Sequence, residues 1–299
     1  MSIFIHHCPP PAYLQVSGED AQSYLQSQLT IDLVSMGSDE IRYGLRLDKK
    51  GKTQAGMYVI KTDEENFSLI SRGTSGSELV KLLEENVVAD EIEFDNRSSE
   101  HQLLTVYGPD AHLLFNHFKQ PCPSANKVVR NPNFVAFLDP RLAPATFTLV
   151  VPEDQNTFAN LQVTFTEEYE IEKARIQSTL VTVPDEIGPD ELPQEGGLEK
   201  DCVDFQKGCY LGQEVMARIH AMGKVRRQTV TLSFESTIEP EIPCPLLNDS
   251  KKVGILKSFV KVESGYLGIA IIHENGMPAL KDGKLKMNQN TSKITLYES

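Results

Sequence analysis

Lys207-Gly208-Cys209-Tyr210-Leu211-Gly212-Gln213-Glu214 gathers a cation, two glycines, a thiol, an amide and an acid into one short stretch. The following Val215-Met216-Ala217-Arg218-Ile219 reads as helical. Residues 212–214 then open a helix whose free N–H groups can hold an anion or stabilise a thiolate. Lys207 and the helix start both favour the charged form of Cys209, the form that acts as nucleophile, metal ligand or redox group. The structural alternative is a small buried cysteine in a tight turn. Just beyond, Arg218, His220, Lys224, Arg226 and Arg227 form a basic cluster that suits an anion site and equally an ordinary solvated turn.

Elements on either side must position this loop. Val16-Ser17-Gly18-Glu19-Asp20-Ala21 recurs as Val106-Tyr107-Gly108-Pro109-Asp110-Ala111, each copy closing a strand-like run and opening a helix-like one, as an internal duplication would. Ala21, Tyr24, Leu25 and Leu29 after the first copy, and Ala111, Leu114, Phe115 and Phe118 after the second, have helical spacing and predict core stripes. Ile41, Tyr43, Leu45 and Leu47 alternate before a turn at Asp48 to Lys52, and Met57 and Val59 continue on the return strand of a hairpin. Strands are expected at 67–71, 91–96, 102–107, 127–130, 134–138 and 146–151, and helices at 76–86, 109–118, 153–161 and 167–179. These strands and helices do not alternate strictly, which points to α+β layers. Pro184, Gly188, Pro189, Pro193, Gly196 and Gly197 mark a long irregular segment leading to the thiol loop, and such loops usually serve a function. From Gln228 onward, short β-rich runs between Pro, Gly and Asn turns predict a small β-barrel.

A chain of 299 residues with 40% hydrophobic content can fill two or three cores. No stretch approaches the ~20 apolar residues of a membrane helix, so a cytoplasmic protein is expected. Five irregularly spaced cysteines fit reduced thiols, and without a C-x-x-C pair no local metal site is predicted. A formal charge of −13 opposes non-specific nucleic-acid binding, making any role in RNA metabolism indirect.

Three segments carry a family resemblance. Leu192-Pro193-Gln194-Glu195 with the run from Phe205 to Arg218 and Gly223-Lys224-Val225-Arg226-Arg227 is the most specific; Val16 to Asp20 with Tyr24 to Asp32, and Asp48-Lys49-Lys50-Gly51-Lys52, add to it. Together they resemble the folate-binding YgfZ family of the glycine-cleavage T-protein (aminomethyltransferase) superfamily. The resemblance implies an α+β fold of two ferredoxin-like units, 1–98 and 99–182, with segments free to exchange between them. It further implies a signature loop and linker at 183–227 and a C-terminal β-barrel at 228–299, all around a central tetrahydrofolate pocket.

A folate site needs a slot for the flat pterin, polar groups for its edge and cations for its glutamate tail. For the resemblance, Tyr13, Tyr43, Tyr169 and Tyr210 are candidates for the face, each with ordinary packing as the alternative. Gln194, Glu195, Gln213 and Glu214 are candidates for the edge, and Arg218 or Arg226 for the tail. Two departures weaken the expected hold on folate. Tryptophan is absent, and Gln177 stands where folate-binding relatives commonly carry a glutamate, so a neutral amide replaces a charged hydrogen-bond partner.

The function implied is that of a folate-dependent accessory factor for iron–sulfur cluster assembly or repair. It would support iron–sulfur enzymes such as those that modify tRNA, through client or assembly proteins, with Cys209 as the reactive thiol and Lys207 lowering its pKa. The alternative is a folate-dependent aminomethyl transferase, which requires a positioned carboxylate; Asp90, Asp95 and Glu100 lie in the relevant region. A binding module with a structural cysteine is a third reading. Cys202 is expected to stand apart from Cys209, because Asp201 and Asp204 disfavour a second thiolate.

Overall fold

A computed structural model describes residues 2–8, 12–142, 145–153, 158, 161–287 and 291–297. The expected helix at 153–161 falls largely outside them. The described strands form three sheets, two of which are buried on both faces where they meet.

The first sheet is built by β2 (Ala12–Ser17), β3 (Ile41–Leu47), β4 (Thr53–Lys61), β5 (Asn66–Ser71) and β6 (Glu93–Asn96), in the order β3-β4-β5-β2-β6. Helices α1 (Ala21–Gln28) and α2 (Gly76–Glu84) accompany it. The predicted stripe Ala21, Tyr24, Leu25 and Leu29 is buried; Ala21, Leu25 and Leu29 join Ala55, Met57 and Val59 in one core. Ser75 and Glu78 exchange bonds in a capping box that fixes the start of α2.

The second sheet contains β7 (His101–Tyr107), β8 (Val128–Asn131), β9 (Phe134–Leu138), β10 (Phe147–Pro152) and β11 (Thr164–Phe165). It also takes in β1 (Phe4–His7), the first strand of the chain, which pairs antiparallel with β7 and parallel with β11. Ala111, Leu114 and Phe115, two of them from α3 (Leu113–His117), fill its core. The repeated glycine turns are closed alike: Ala21 N–H donates to the Gly18 carbonyl and Ala111 N–H to the Gly108 carbonyl, both at 3.1 Å.

The opposite faces of these sheets press together. Tyr13, Ile41, Tyr58, Ile60 and Ile70 of the first meet Leu103, Val128, Phe137 and Val150 of the second. Alternation had marked only Met57 and Val59 as the buried side of β4; Tyr58 and Ile60 are buried too, because the other sheet covers that face.

After α4 (Tyr169–Gln177) an irregular segment leads to α5 (Gln213–Met222). The third sheet contains β12 (Arg227–Ser236), β13 (Cys244–Asn248), β14 (Lys251–Val262), β15 (Gly265–His273), β16 (Lys286–Met287) and β17 (Thr291–Leu296), with α6 (Met277–Lys281) between β15 and β16. Its order is β16-β13-β14-β15-β12-β17, and no ladder joins β16 to β17 among the described residues. Among the described residues the predicted small barrel is a half-barrel sheet. β13 had not been expected, its Pro245 breaking the strand pattern.

Candidate functional site

Two places collect the chemistry: the thiol loop on the surface, and cavities between the first two sheets.

The loop rests on both upstream segments of the sequence resemblance. Lys207 turns its ammonium inward to the carbonyls of Gln26 and Leu29 at 2.6 Å and Ile31 at 2.7 Å, which closes the C-terminal end of α1. Leu211 N–H donates to the Ser27 carbonyl at 3.1 Å. Gly212, at φ 84°, sits against the 48–52 turn, and a Cβ there would meet the Asp48 carbonyl oxygen at 2.7 Å. Asp204 Oδ1 accepts from the N–H groups of Gln206 and Lys207 at 2.7 and 3.1 Å and shapes the approach. Cys209 is left exposed in a shallow groove with Lys49, Gln28, Asn86, Gln213 and Glu214.

Lys207 thus does something other than expected. Burial pushes its ammonium down to about 8, against the pull of Asp32 and Asp204. Its donors are committed to carbonyls, and it also lies 5.2 Å from the centre of the Tyr210 ring. It anchors the loop. Tyr210 is buried beneath the loop, its phenol pushed up to about 12 by burial, with Asp204 adding to the rise.

The remaining candidates are scattered. Tyr43 faces the cavities between the sheets. Tyr169 is exposed at the start of α4, with Lys173 over its ring. Gln177 Nε2 donates to the Tyr297 hydroxyl at 3.1 Å, turning toward the third sheet. Gln194 Nε2 reaches Met216 Sδ at 3.4 Å, and Glu195 is held by Arg227. Tyr13 packs edge-on against His101. Arg218 and Arg226 are exposed and line neither cavity, so the tail-binding role read from the sequence does not fit them.

The cations lining the cavities are instead Arg42, Arg72, Arg141 and Arg175, which the sequence did not single out. The wider cavity, about 510 Å³, is lined by Tyr43, Tyr58, Phe137, Arg141, Asp201 and Cys202 among others. A smaller one of about 240 Å³ shares Tyr43, Tyr58 and Arg141. Gly56 makes room for this arrangement: a Cβ there would meet the Tyr43 hydroxyl at 2.1 Å. Burial holds the phenols of Tyr43 and Tyr58 above their usual range.

Asp139, fully buried, organises the floor. It accepts from the Tyr58 hydroxyl, from Thr148 Oγ1 at 2.5 Å and from the Arg141 N–H at 3.1 Å, and pairs with Arg72 at 3.3 Å. Arg141 differs. Its guanidinium lies 5.2 Å from the centre of the Tyr43 ring and donates to the Val181 carbonyl at 2.8 Å, yet it has no carboxylate partner among the described residues. A half-buried guanidinium in that state is suited to an anionic or strongly polar ligand.

Asp90, Asp95 and Glu100 line neither cavity, so none stands where the transferase alternative needs its carboxylate. Cys202 is buried in the wall of the wider cavity, its thiol pushed up to about 11 by burial with Arg141 opposing, whereas Cys209 is at the surface. Among the described residues no group of His, Cys, Asp and Glu could hold a metal ion, and no helix is long and apolar enough to cross a membrane.

The GCVT N-terminal domain family matches residues 12–130. A tRNA-modifying protein YgfZ from Aliivibrio fischeri is 27% identical over 270 residues, covering 87% of this chain and 82% of that protein. The chain resembles the YgfZ family along most of its length. A second YgfZ, from Shigella sonnei, is 23% identical over 294 residues, 95% of this chain and 89% of its own. An uncharacterised Haemophilus influenzae protein is 27% identical over 282 residues, 91% of this chain and 89% of its own. In fold, the chain superposes on the glycine cleavage system aminomethyltransferase T of Bartonella henselae with a TM-score of 0.82 at 14% identity, covering 99% of this chain and 85% of that one. The YgfZ resemblance and the T-protein fold therefore extend well beyond the thiol loop.

Proposed function

We propose that this protein is a cytoplasmic, folate-binding accessory factor that supports iron–sulfur enzymes, including those that modify tRNA, with Cys209 as its reactive thiol. The likeness to proteins named tRNA-modifying supports the setting. The carrying observation is Arg141, a guanidinium that lines two cavities with aromatic walls and has no carboxylate partner among the described residues. Tyr43, Tyr58 and Phe137 offer faces for a flat ring, and Arg141, Asn126 and Asp201 offer polar contacts to its edge. The first two sheets then descend from one duplicated ferredoxin-like unit, and folate binds between them.

The aminomethyl transferase alternative is less well supported. It calls for a carboxylate free to handle an amine; Asp90, Asp95 and Glu100 line neither cavity and Asp139 is bonded to four partners, which leaves Glu168, Glu172, Asp185 and Asp201 as the lining carboxylates that reading would have to use.

Calorimetric titration with tetrahydrofolate tests the reading. Saturable binding is expected, weakened on the order of tenfold or more by Arg141→Gln and unchanged by Arg226→Ala. Absence of binding, or loss with Arg226→Ala alone, overturns the cavity assignment.

A further inference from the structure

The smaller cavity ends in a corner built from β1 and the residue after β5. His6 and Cys8 are two positions apart, so they leave the same side of an extended chain, and both line this cavity with Arg72 and Thr105. Cys8 Sγ accepts an N–H from Arg72 Nη1 at 2.8 Å and lies 3.2 Å from Thr105 Oγ1. Arg72 is fixed in turn by Thr148 Oγ1 at 2.5 Å and Asp139 at 3.3 Å. Two polar atoms of the corner, His6 Nε2 and Arg72 Nε, are buried with no hydrogen-bond partner among the described residues. Such atoms cost free energy unless something that enters the cavity meets them. The charged groups lining the cavity are Arg72, Arg141 and Arg175 against Glu168, Glu172 and Asp185. At the Cys8 corner Arg72 is already paired with Asp139, which favours a small uncharged molecule there over an ion.

We propose that Cys8 is a second reactive thiol, opening on the central cavity, which adds reversibly to a small neutral aldehyde. The Sγ–C bond forms, the carbonyl π pair moves to oxygen, and the thiol proton ends on that oxygen. The product is a hemithioacetal, and the step needs no oxidant, reductant or leaving group. Arg72 meets negative charge on sulfur as its proton leaves. His6 Nε2 and Arg72 Nε supply bonds to the hydroxyl that results. A volume of about 240 Å³ restricts the guest to a small molecule. The chemistry is separate from Cys209 and does not require folate.

The test is site-resolved mass spectrometry of native protein alkylated by iodoacetamide, with glycolaldehyde as the competing probe. Exposed Cys122 and Cys209 serve as internal controls. Cys8 is expected to label in the folded state, and glycolaldehyde to slow it saturably, on the order of tenfold relative to both controls. Arg72→Lys should label more slowly at Cys8, because one ammonium replaces the guanidinium fork. Labelling of Cys8 only after unfolding overturns the proposal, as does equal slowing of all three thiols. Equally rapid modification of Cys8 and Cys209 by a polymer-linked maleimide would place Cys8 outside the cavity and overturn it too.

Discussion

Lys207 and Arg141 are both cations withdrawn from water, and they are treated in opposite ways. Lys207 is buried and saturated: three carbonyls converge on its ammonium. Arg141 is half-buried, donates to the Val181 carbonyl and lacks a carboxylate partner among the described residues. A saturated buried cation holds a chain in place, whereas an unpaired one leaves binding capacity for a guest. The thiol loop is therefore held beneath and exposes its thiol on top, while the cavity is held around Asp139 and open at Arg141.

The largest effect expected from this contrast is that of Lys207→Met. It strands three carbonyls under the loop and should cost about 3–4 kcal/mol in chemical denaturation. Arg141→Gln should cost far less stability while losing folate. Comparable stability losses in the two variants would erase the distinction between anchor and binding group.

The Lys207 ammonium also gives the contrast a pH signature. Burial lowers its folded value to about 8, whereas an unfolded lysine keeps about 10.4. Between those values the unfolded state binds more protons, so stability rises with pH across the window. Below pH 8 both states are protonated and the full burial cost is present. Denaturation of wild type and Lys207→Met at pH 7, 8.5 and 10 should show the wild type gaining relative to the variant, by a few kcal/mol at most. A falling difference would mean that the three carbonyl bonds outweigh burial.

Gly212→Ala comes next. At φ 84° and 2.7 Å from the Asp48 carbonyl, an added methyl must shift either the loop or the 48–52 turn. A loss of about 1–3 kcal/mol is expected, with Lys49 and Cys209 moved apart. A neutral substitution would show that the two segments touch without constraining each other.

The sequence displayed the thiol loop and its two supports, but only as three separate strings. Their convergence depends on Lys207 crossing to α1 and Gly212 lying on the hairpin turn, contacts spanning well over a hundred residues. Lys207 was misjudged because its spacing from Cys209 suggested a local charge effect, whereas a flexible four-carbon stem can reach buried carbonyls elsewhere. The hairpin and the α1 stripe were legible since each repeats with a local period. The cavity was not. Tyr58 occupies the face of β4 opposite Met57 and Val59, and Arg72, Asp139 and Arg141 lie in connections outside any periodic run. Arg218 and Arg226 drew attention by clustering in sequence, yet Arg218 lies on α5, where Met216 is the buried residue, Arg226 lies beyond its end, and both are exposed.

The smallest stability effect belongs to Cys209→Ser. The side chain is exposed, and the loop's shape rests on Lys207, Leu211 and Gly212, so replacing sulfur by oxygen should change stability by no more than about 0.5 kcal/mol. Tetrahydrofolate binding should also be unchanged, because the cavity residues are elsewhere. Support of iron–sulfur tRNA-modifying enzymes should nevertheless fall to the level of cells lacking the protein. That combination of intact fold, intact cavity and lost support assigns the function to the sulfur itself. Full support from the serine variant would make the loop a binding surface, and the reactive chemistry would then have to be sought at the cavity.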